Sequence, residues 1–262
     1  MNFRIPRVPR HGQSRSLERL FLFTGLRFQT SVSPSNSPNW RTMSLWPLPD
    51  NNEALFAAGR SLADWERECG IPLRPEFPWD MLGLNERLMS GISEWSGHPG
   101  IQLLDNARAS VGAGTTILPG VVVSGSVIIG KNCTIGPNCY LRDNAMIGDD
   151  CHVGQGVEIK NSILAPGSAV AHLSYVGDSY LDRGVNLGGG TIISNYRHDA
   201  ASHRSMVKGE LIETGLQKLG AILGERVHTG INTSIYPGRK LGPGTTTRPG
   251  EVVDRDLTED RR

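Results

Sequence analysis

The sequence predicts an all-β protein whose main domain is a parallel β-helix, a solenoid of short strands joined by tight turns. Three observations predict this fold class. Aliphatic residues recur at every sixth position through nine consecutive repeats, from Val111 to Ile159. Glycine (32 residues) and proline (16 residues) are frequent, which suits a chain with many turns. Aromatic residues make up only 6% of the chain, so small side chains must fill the interior.

The repeat unit has three recognisable positions, and they define how each hexad packs. An aliphatic residue points into the solenoid, a small or β-branched residue lies two positions before it, and glycine often follows it. Three hexads make one coil, so each aliphatic side chain stacks on its equivalent one coil away. The aliphatic positions are Val111, Ile117, Val123, Ile129, Ile135, Leu141, Ile147, Val153 and Ile159.

The repeat is interrupted once, and this predicts an extruded loop. Its frame slips by one residue at Leu164 and again at Leu181. The period is lost over residues 196–220 and returns from Leu223 to Val253. A break between two in-frame stretches is most simply a loop that leaves the solenoid and comes back.

The segment before the repeats is predicted to contain helices at 53–69 and at Asp80–Ile92 and to cap the open N-terminal end of the solenoid. The first 48 residues carry seven Arg against one acidic residue, Glu18, a balance of 7 − 1 = +6. The composition of this start resembles a transit peptide, and a mis-assigned start codon, with Met43 as the true start, is the preferred interpretation. Disorder is expected in either case. The predicted divisions are 1–42 (extension), 43–100 (helical cap or linker), 101–256 (β-helix) and 257–262 (tail).

Charge and cysteine usage limit the possible functions. The formal net charge is +1, which gives no reason to expect nucleic acid or a membrane surface as a partner. Three of the four cysteines, Cys133, Cys139 and Cys151, fall on the small-residue positions of the repeat. Packing explains them better than metal ligation or redox chemistry, and a reducing cytoplasm is the expected compartment.

Four motifs between residues 157 and 196 carry more information than the repeat. They are Val-Glu-Ile-Lys (157–160), Ala-His-Leu-Ser-Tyr-Val-Gly-Asp (171–178), Val-Asn-Leu-Gly-Gly-Gly-Thr (185–191) and Ser-Asn-Tyr (194–196). In this order they resemble the acetyltransferase half of the bifunctional glucosamine-1-phosphate acetyltransferase / N-acetylglucosamine-1-phosphate uridyltransferases. The segment 207–238 is similar to archaeal sugar-phosphate nucleotidylyltransferases that carry the same β-helix. No nucleotidyltransferase half is expected, because residues 1–76 contain no glycine-rich, lysine-bearing loop and are too few for that domain.

The resemblance implies a left-handed β-helix that forms homotrimers with active sites between neighbouring subunits. It also implies acetyl-CoA as co-substrate and an amino sugar phosphate as acceptor. His172 matches the general base of the family, and imidazole titrates in the range that this task needs. Without the motif, His172 would be an ordinary surface histidine at a solenoid corner.

Arg142 and Lys160 match the phosphate-binding residues of the family. They are 18 residues apart, so one coil separates them, and their side chains should project from one edge about 5 Å apart. Two cations at that spacing repel each other, and a bound sugar phosphate would relieve the repulsion. Two solvated surface charges are the alternative.

The remaining candidate residues come from the resemblance alone. Tyr175 and Asn186 match sugar-binding positions, although a rim aromatic and a corner asparagine would look the same. Asn195 and Tyr196 match the pair near the thioester, where hydrogen-bond donors would steady the developing oxyanion; a loop start is the alternative. The positions that match the lining of the acetyl-CoA cleft are Gly189, Ile231 and Pro249.

This sequence departs from the family at two points. The family places a further lysine at the phosphate from the loop after Asn-Tyr; here that loop begins Arg197-His198-Asp199, with Lys208 further on. The C-terminal arginine that the family places at the coenzyme has no counterpart that aligns.

Two other functions fit a hexapeptide β-helix. A zinc carbonic anhydrase-like site would use His198 and His203 with His152 or His228 across an interface. No metal is expected in the preferred interpretation. A non-catalytic scaffold or regulatory protein is the second alternative.

Overall fold

The computed structural model describes residues 77–91, 95–207 and 209–257, and within them one α-helix precedes nineteen short strands. Helix α1 spans Asp80–Gly91. The first ten strands are β1 (Ile101–Val111), β2 (Thr116–Ile117), β3 (Val121–Ile129), β4 (Thr134–Ile135), β5 (Tyr140–Ile147), β6 (His152–Gln155), β7 (Glu158–Lys160), β8 (Ile163–Leu164), β9 (Ala169–His172) and β10 (Tyr175–Gly177). The others are β11 (Tyr180–Leu181), β12 (Asn186–Leu187), β13 (Ile192–Ile193), β14 (Arg204–Val207), β15 (Glu210–Glu213), β16 (Ala221–Leu223), β17 (Ser234–Ile235), β18 (Arg239–Leu241) and β19 (Val252–Val253).

The solenoid strands form three parallel ladders, one on each face of a triangular prism. Face A runs β5–β7–β10–β13–β17–β19, and face B runs β5–β8–β11–β16–β18. Face C runs β2–β4–β6–β9–β12. Strands β3 and β5 each bend around a corner and so belong to both A and B. The predicted parallel β-helix, with one helix before it, is confirmed.

The interior is built from the aliphatic positions that the repeat predicts. All of those from Val123 to Ile159 are buried, whereas Val111 and Ile117, in the first coil, are only partly buried. Further along, the inward Thr229 hydrogen-bonds to Thr191, with 2.8 Å between their hydroxyl oxygens. Pairing of this kind lets a narrow core hold polar side chains without leaving them unsatisfied.

The two frame slips are places where a coil contains 17 residues instead of 18. Ile147 pairs with Leu164, and Leu164 pairs with Leu181. The shorter coils turn at Asn161 (φ 42°) and Asp178 (φ 47°), in the left-handed conformation that asparagine and aspartate tolerate better than most residues. Each slip therefore marks a tightened corner and not a break in the core.

The helix predicted at Asp80–Ile92 is confirmed as α1, but it does not lie across the open end of the solenoid as expected. It packs against face B, where five outward-facing side chains form a second apolar cluster with the helix. Those side chains are Ile128, Met146, Ile163, Tyr180 and Ile222, and the helix and its approach contribute Trp79, Met81, Leu82, Leu84 and Met89. An apolar outer surface of this size must be covered, and this requirement sets the position of the helix.

The extruded loop is also confirmed, and it folds back onto the same face. Its strands β14 and β15 form an antiparallel hairpin, and Val207 joins the second apolar cluster. Lys240, which is 2% exposed, donates a hydrogen bond to the carbonyl oxygen of Met206. The solenoid continues to Leu257, one residue beyond the predicted boundary, through a bridge to Leu241.

Cys133, Cys139 and Cys151 are buried and unpaired, as their positions in the repeat predict. Burial raises the pKa of the Cys139 thiol to about 11 and that of Cys151 to about 12, so neither forms a reactive thiolate near neutral pH. The predicted helix at 53–69 and the extension at 1–42 lie outside the described residues. Among the described residues, no helix is long and apolar enough to cross a bilayer.

Candidate active site

Arg142 and Lys160 occupy neighbouring rungs of face A, as the 18-residue spacing predicts. They are paired directly in the register of β5 with β7. Both follow an inward aliphatic residue, so their side chains leave the prism at the same corner. The predicted placement of the two cations is therefore correct.

The structure resolves the repulsion between these cations in a way that the sequence analysis did not expect. Arg142 Nε lies 2.6 Å from Glu158 Oε1, and its Nη1 lies 3.1 Å from Asp143 Oδ2. Lys160 Nζ lies 2.8 Å and 3.0 Å from the two carboxylate oxygens of Asp178. The pair does not require a bound anion, because carboxylates of the chain itself neutralise it.

The carboxylate of Asp178 links the cations to two further candidate residues. Its oxygens accept hydrogen bonds from the side-chain amides of Asn161 (2.8 Å) and Asn195 (2.5 Å). Asn195 Nδ2 also donates to the Tyr175 hydroxyl at 3.1 Å. We call the connected set the site cluster: Arg142, Asp143, Glu158, Lys160, Tyr175, Asp178 and Asn195.

The absence of a side chain at Gly177 makes this cluster possible. A Cβ atom added there would lie 2.4 Å from the Tyr175 hydroxyl oxygen and 2.8 Å from Asn195 Nδ2. Both side chains thus lie over the backbone of β10, where only glycine leaves room.

Tyr175 is held in its neutral form within the cluster. Burial, followed by the negative charges of Asp178 and Glu158, raises the pKa of its phenol above the ordinary value. Because the hydroxyl oxygen accepts a hydrogen bond from Asn195, its own hydrogen remains available to a ligand.

His172 lies just around a corner of the prism from the site cluster. It is exposed at the end of β9 on face C, and Tyr175 begins β10 on face A. Leu173 forms the corner between them with φ 46° and is 66% exposed. The Ser174 hydroxyl donates to the His172 carbonyl oxygen at 2.7 Å and fixes the turn.

The three predicted coenzyme-lining residues stack in one column with His172. Each of the three is followed by a residue whose backbone N–H donates to the carbonyl oxygen of the column member one coil earlier. These hydrogen bonds run from Gly190 to His172, from Asn232 to Gly189 and from Gly250 to Ile231. A Cβ added at Gly189 would lie 3.3 Å from the Cβ of His172. Residues separated by 17, 42 and 18 positions in the sequence are thus brought to one edge.

The other two predicted residues lie apart from these groups. Asn186 is exposed on face C, next to Ala169 and His228 along the ladder. Tyr196 is 46% exposed at the start of the extruded loop, where it bridges to Lys218. Within the described residues, neither side chain hydrogen-bonds to the site cluster.

The loop does not supply the missing lysine of the family through Arg197. That side chain forms two hydrogen bonds to Asp199, at 2.8 Å and 2.5 Å, and so does not point to the site cluster. Lys208 lies outside the described residues.

A shallow cavity of about 330 Å³ borders Lys160. The other residues that line it are Glu86, Gly125, Ser126, Asp143, Asn144 and Asn161.

Sequence reasoning missed Asp178, Glu158 and Asp143. Two of them stood inside motifs that were noted, Val-Glu-Ile-Lys and Tyr-Val-Gly-Asp, and both motifs also contain a predicted site residue. Aspartate at a solenoid corner is explained by its left-handed backbone alone, so its second role was hidden.

The described residues contain no group of three or more His, Cys, Asp or Glu side chains that could hold a metal ion. His203 lies at the base of the hairpin, directly before β14, and is only 2% exposed. Burial, together with the positive charges of Arg197 and Arg239, lowers the pKa of its imidazole.

The sequence of the solenoid is similar to those of known proteins. Residues 123–241 match the family model described as the GMPPB C-terminal domain. The resemblance predicted from the motifs is confirmed. The chain is 48% identical over 101 residues to a bifunctional sugar-1-phosphate nucleotidylyltransferase/acetyltransferase of Sulfurisphaera tokodaii. It is 34% identical over 184 residues to the bifunctional protein GlmU of Methanococcus aeolicus.

These matches cover only part of each relative. They include 38% and 70% of this chain, and 25% and 44% of the respective relatives. Among solved structures, a putative acetyltransferase of Bacillus cereus is 17% identical with a TM-score of 0.29, over 60% of this chain and 78% of that one.

Proposed function

We propose that this chain is an acetyl-CoA-dependent N-acetyltransferase that acts on an amino sugar phosphate. One observation carries the proposal: the corner at Leu173 and the short strand β10 lie between an exposed histidine and a cluster of two cations, a tyrosine hydroxyl and an amide. An amine acceptor bound across this corner would contact groups suited to its phosphate and to its nucleophilic nitrogen at the same time.

The proposed reaction is direct transfer in a ternary complex. The acceptor amine attacks the thioester carbonyl carbon, and His172 takes one proton of the amine. The carbon–sulfur bond then breaks, and the leaving thiolate takes that proton from His172 and departs as the thiol of coenzyme A. Acetyl-CoA would lie along the column of Gly189, Ile231 and Pro249. A covalent enzyme intermediate has no candidate among the three buried cysteines, since burial raises their pKa.

Residues of faces A and C would together hold the acceptor. Arg142 uses two of its five N–H groups on carboxylates of the chain, which leaves donors for a phosphate. Lys160 would add charge, while Tyr175, with Asn186 and Tyr196, would contact the sugar or the thioester region. The carboxylates of the site cluster would keep both cations oriented before the acceptor binds.

The test is thiol release from acetyl-CoA with a panel of amine acceptors. We expect turnover with an amino sugar 1-phosphate and at least tenfold lower kcat/KM with the same sugar lacking phosphate, because Arg142 and Lys160 then lose their ligand. Glucosamine 1-phosphate and galactosamine 1-phosphate, each compared with its free sugar, and an amino-sugar nucleotide complete the panel. Equal rates with and without phosphate would contradict the phosphate-binding role.

A homotrimer with sites between subunits is part of the proposal. Four large apolar side chains are exposed near the corner between faces C and A: Leu173 (66%), Ile231 (57%), Val252 (54%) and Ile192 (44%). Burying such side chains contributes roughly 1.5–3 kcal/mol each, which favours contact with a second copy of the chain.

We therefore expect the double variant Ile192→Glu/Val252→Glu to dissociate and to lose activity, because the charges would face the neighbouring subunit. Sedimentation velocity measures the assembly and thiol release measures activity. Leu211→Glu is the matched control, since Leu211 is 51% exposed on the hairpin and should keep both properties. A double variant that stays trimeric and active would place the interface elsewhere.

A scaffold or regulatory role is the second candidate. The observation in its favour is that Arg142 and Lys160 are already neutralised within the chain. Turnover with none of the amine acceptors would support this role over the enzyme.

A further inference from the structure

Asp178 is the most buried charged residue of the site cluster, and the proposed mechanism gives it no role beyond holding the Lys160 ammonium. It is 3% exposed, at the corner between β10 and β11. Its carboxylate accepts two hydrogen bonds from Lys160 Nζ and one each from the amides of Asn161 and Asn195. A buried carboxylate is tolerated only with such partners, and here they come from the coil before Asp178 and the coil after it.

This carboxylate determines which end of the Asn195 amide faces outward. An ionised carboxylate only accepts hydrogen bonds, so the NH₂ group of Asn195 must be the end that faces Asp178. The second hydrogen of that NH₂ group goes to the Tyr175 hydroxyl at 3.1 Å. With both hydrogens engaged, the side-chain oxygen of Asn195 is the atom left for a ligand.

The Asn195 side chain therefore offers an acceptor and not the donor that an oxyanion would need. An attacking amine carries N–H hydrogens and a lone pair. A fixed acceptor takes one hydrogen and thereby directs the lone pair toward the thioester carbon, while a base removes the proton that becomes acidic as the N–C bond forms.

We infer that Asp178 is a positioning residue: it orients the Asn195 amide so that its oxygen receives the acceptor amine, and it anchors the Lys160 ammonium in the same site. The inference rests on the proposed function, because it needs an amine acceptor. It deepens that function by assigning amine orientation to the Asp178–Asn195 pair and proton removal to His172.

The test is a cycle of three variants assayed by thiol release with the preferred amino sugar phosphate. Asp178→Asn keeps the shape but removes the charge, and Asn195→Asp places two carboxylates face to face. We expect each to lower kcat about 10- to 100-fold through misplacement of the amine, with little change in the KM for acetyl-CoA. A purely structural residue would lower thermal stability without this split between kcat and KM.

The double variant Asp178→Asn/Asn195→Asp exchanges the two groups. The amide at position 178 can then donate to the carboxylate at position 195, whose second oxygen still accepts from the amine. We expect the kcat of the double variant to be at least tenfold higher than the value obtained by multiplying the two single-variant effects. Thermal unfolding of each variant shows that it is folded.

The outcomes separate the two levels of the proposal. Wild-type protein that releases no thiol with any amine acceptor overturns the proposed function and this inference with it. An active wild type with Asp178→Asn within twofold of its kcat overturns the inference alone, as does a double variant with no recovery. If Asp178→Asn fails to fold, Asn195→Asp decides: activity within twofold of wild type would mean that the orientation of the amide is irrelevant.

Discussion

Replacing His172 with alanine should lower kcat for N-acetyl transfer by about 10²- to 10⁴-fold, the range that a positioned general base contributes. The side chain is exposed at the end of β9, so its removal leaves the packing of the core unchanged. The KM values for both substrates should change little, because the loss falls on the proton transfer. Steady-state thiol release at saturating substrates measures the effect.

His152→Ala is the matched control for this variant. His152 is also an exposed histidine of face C, one strand earlier on the ladder, and it is not part of the column with Gly189 and Ile231. It should retain the wild-type rate. A His172→Ala protein that keeps its full rate would refute the assignment of the base, and equal losses in both variants would point to a general effect on the face.

The fold was predictable because every coil repeats the same packing requirement. One inward aliphatic residue in six fixes the strand, the direction of each side chain and the register of the next coil. Even the slips at Leu164 and Leu181 were visible in the sequence, and the structure explains them as corners tightened at Asn161 and Asp178.

The position of α1 was not predictable in the same way. The outward residues of face B, such as Ile128 and Met146, occupy the variable positions of the repeat, so the period says nothing about them. Only their stacking in three dimensions creates an apolar surface that must be covered. The prediction of a cap at the open end therefore followed from the general needs of solenoids and not from these side chains.

The candidate site was predictable only as far as its motifs. They identified Arg142, Lys160, Tyr175 and Asn195, and the structure brings these four together. The ion pairs among them depend on which carboxylate reaches which cation, and this is decided by side-chain geometry at one corner. The sequence predicted that Arg142 and Lys160 would be neutralised by a bound phosphate, whereas in the structure carboxylates of the chain neutralise them.

Gly177→Ala should reduce kcat/KM about 10³-fold while leaving the solenoid folded. The added methyl group would lie 2.4 Å from the Tyr175 hydroxyl and 2.8 Å from Asn195 Nδ2, so both side chains must move. Misplacement of a single reacting or positioning group by about 1 Å can cost about 10²-fold, and here two groups move together. Both contacts are with the ends of side chains, which can shift without opening the core.

Gly112→Ala separates this effect from a general loss of stability. Gly112 also follows an inward aliphatic residue, but a methyl group there would lie 2.5 Å from the backbone carbonyl of Gly130 in the first coils, away from the site cluster. It should cost about 1–3 kcal/mol of unfolding free energy and leave kcat/KM of the folded protein unchanged. Gly177→Ala should show the reverse, with a small shift in thermal unfolding and a large loss of activity. If Gly177→Ala kept its activity, Tyr175 and Asn195 could move without consequence, and the site would have to lie elsewhere on the solenoid.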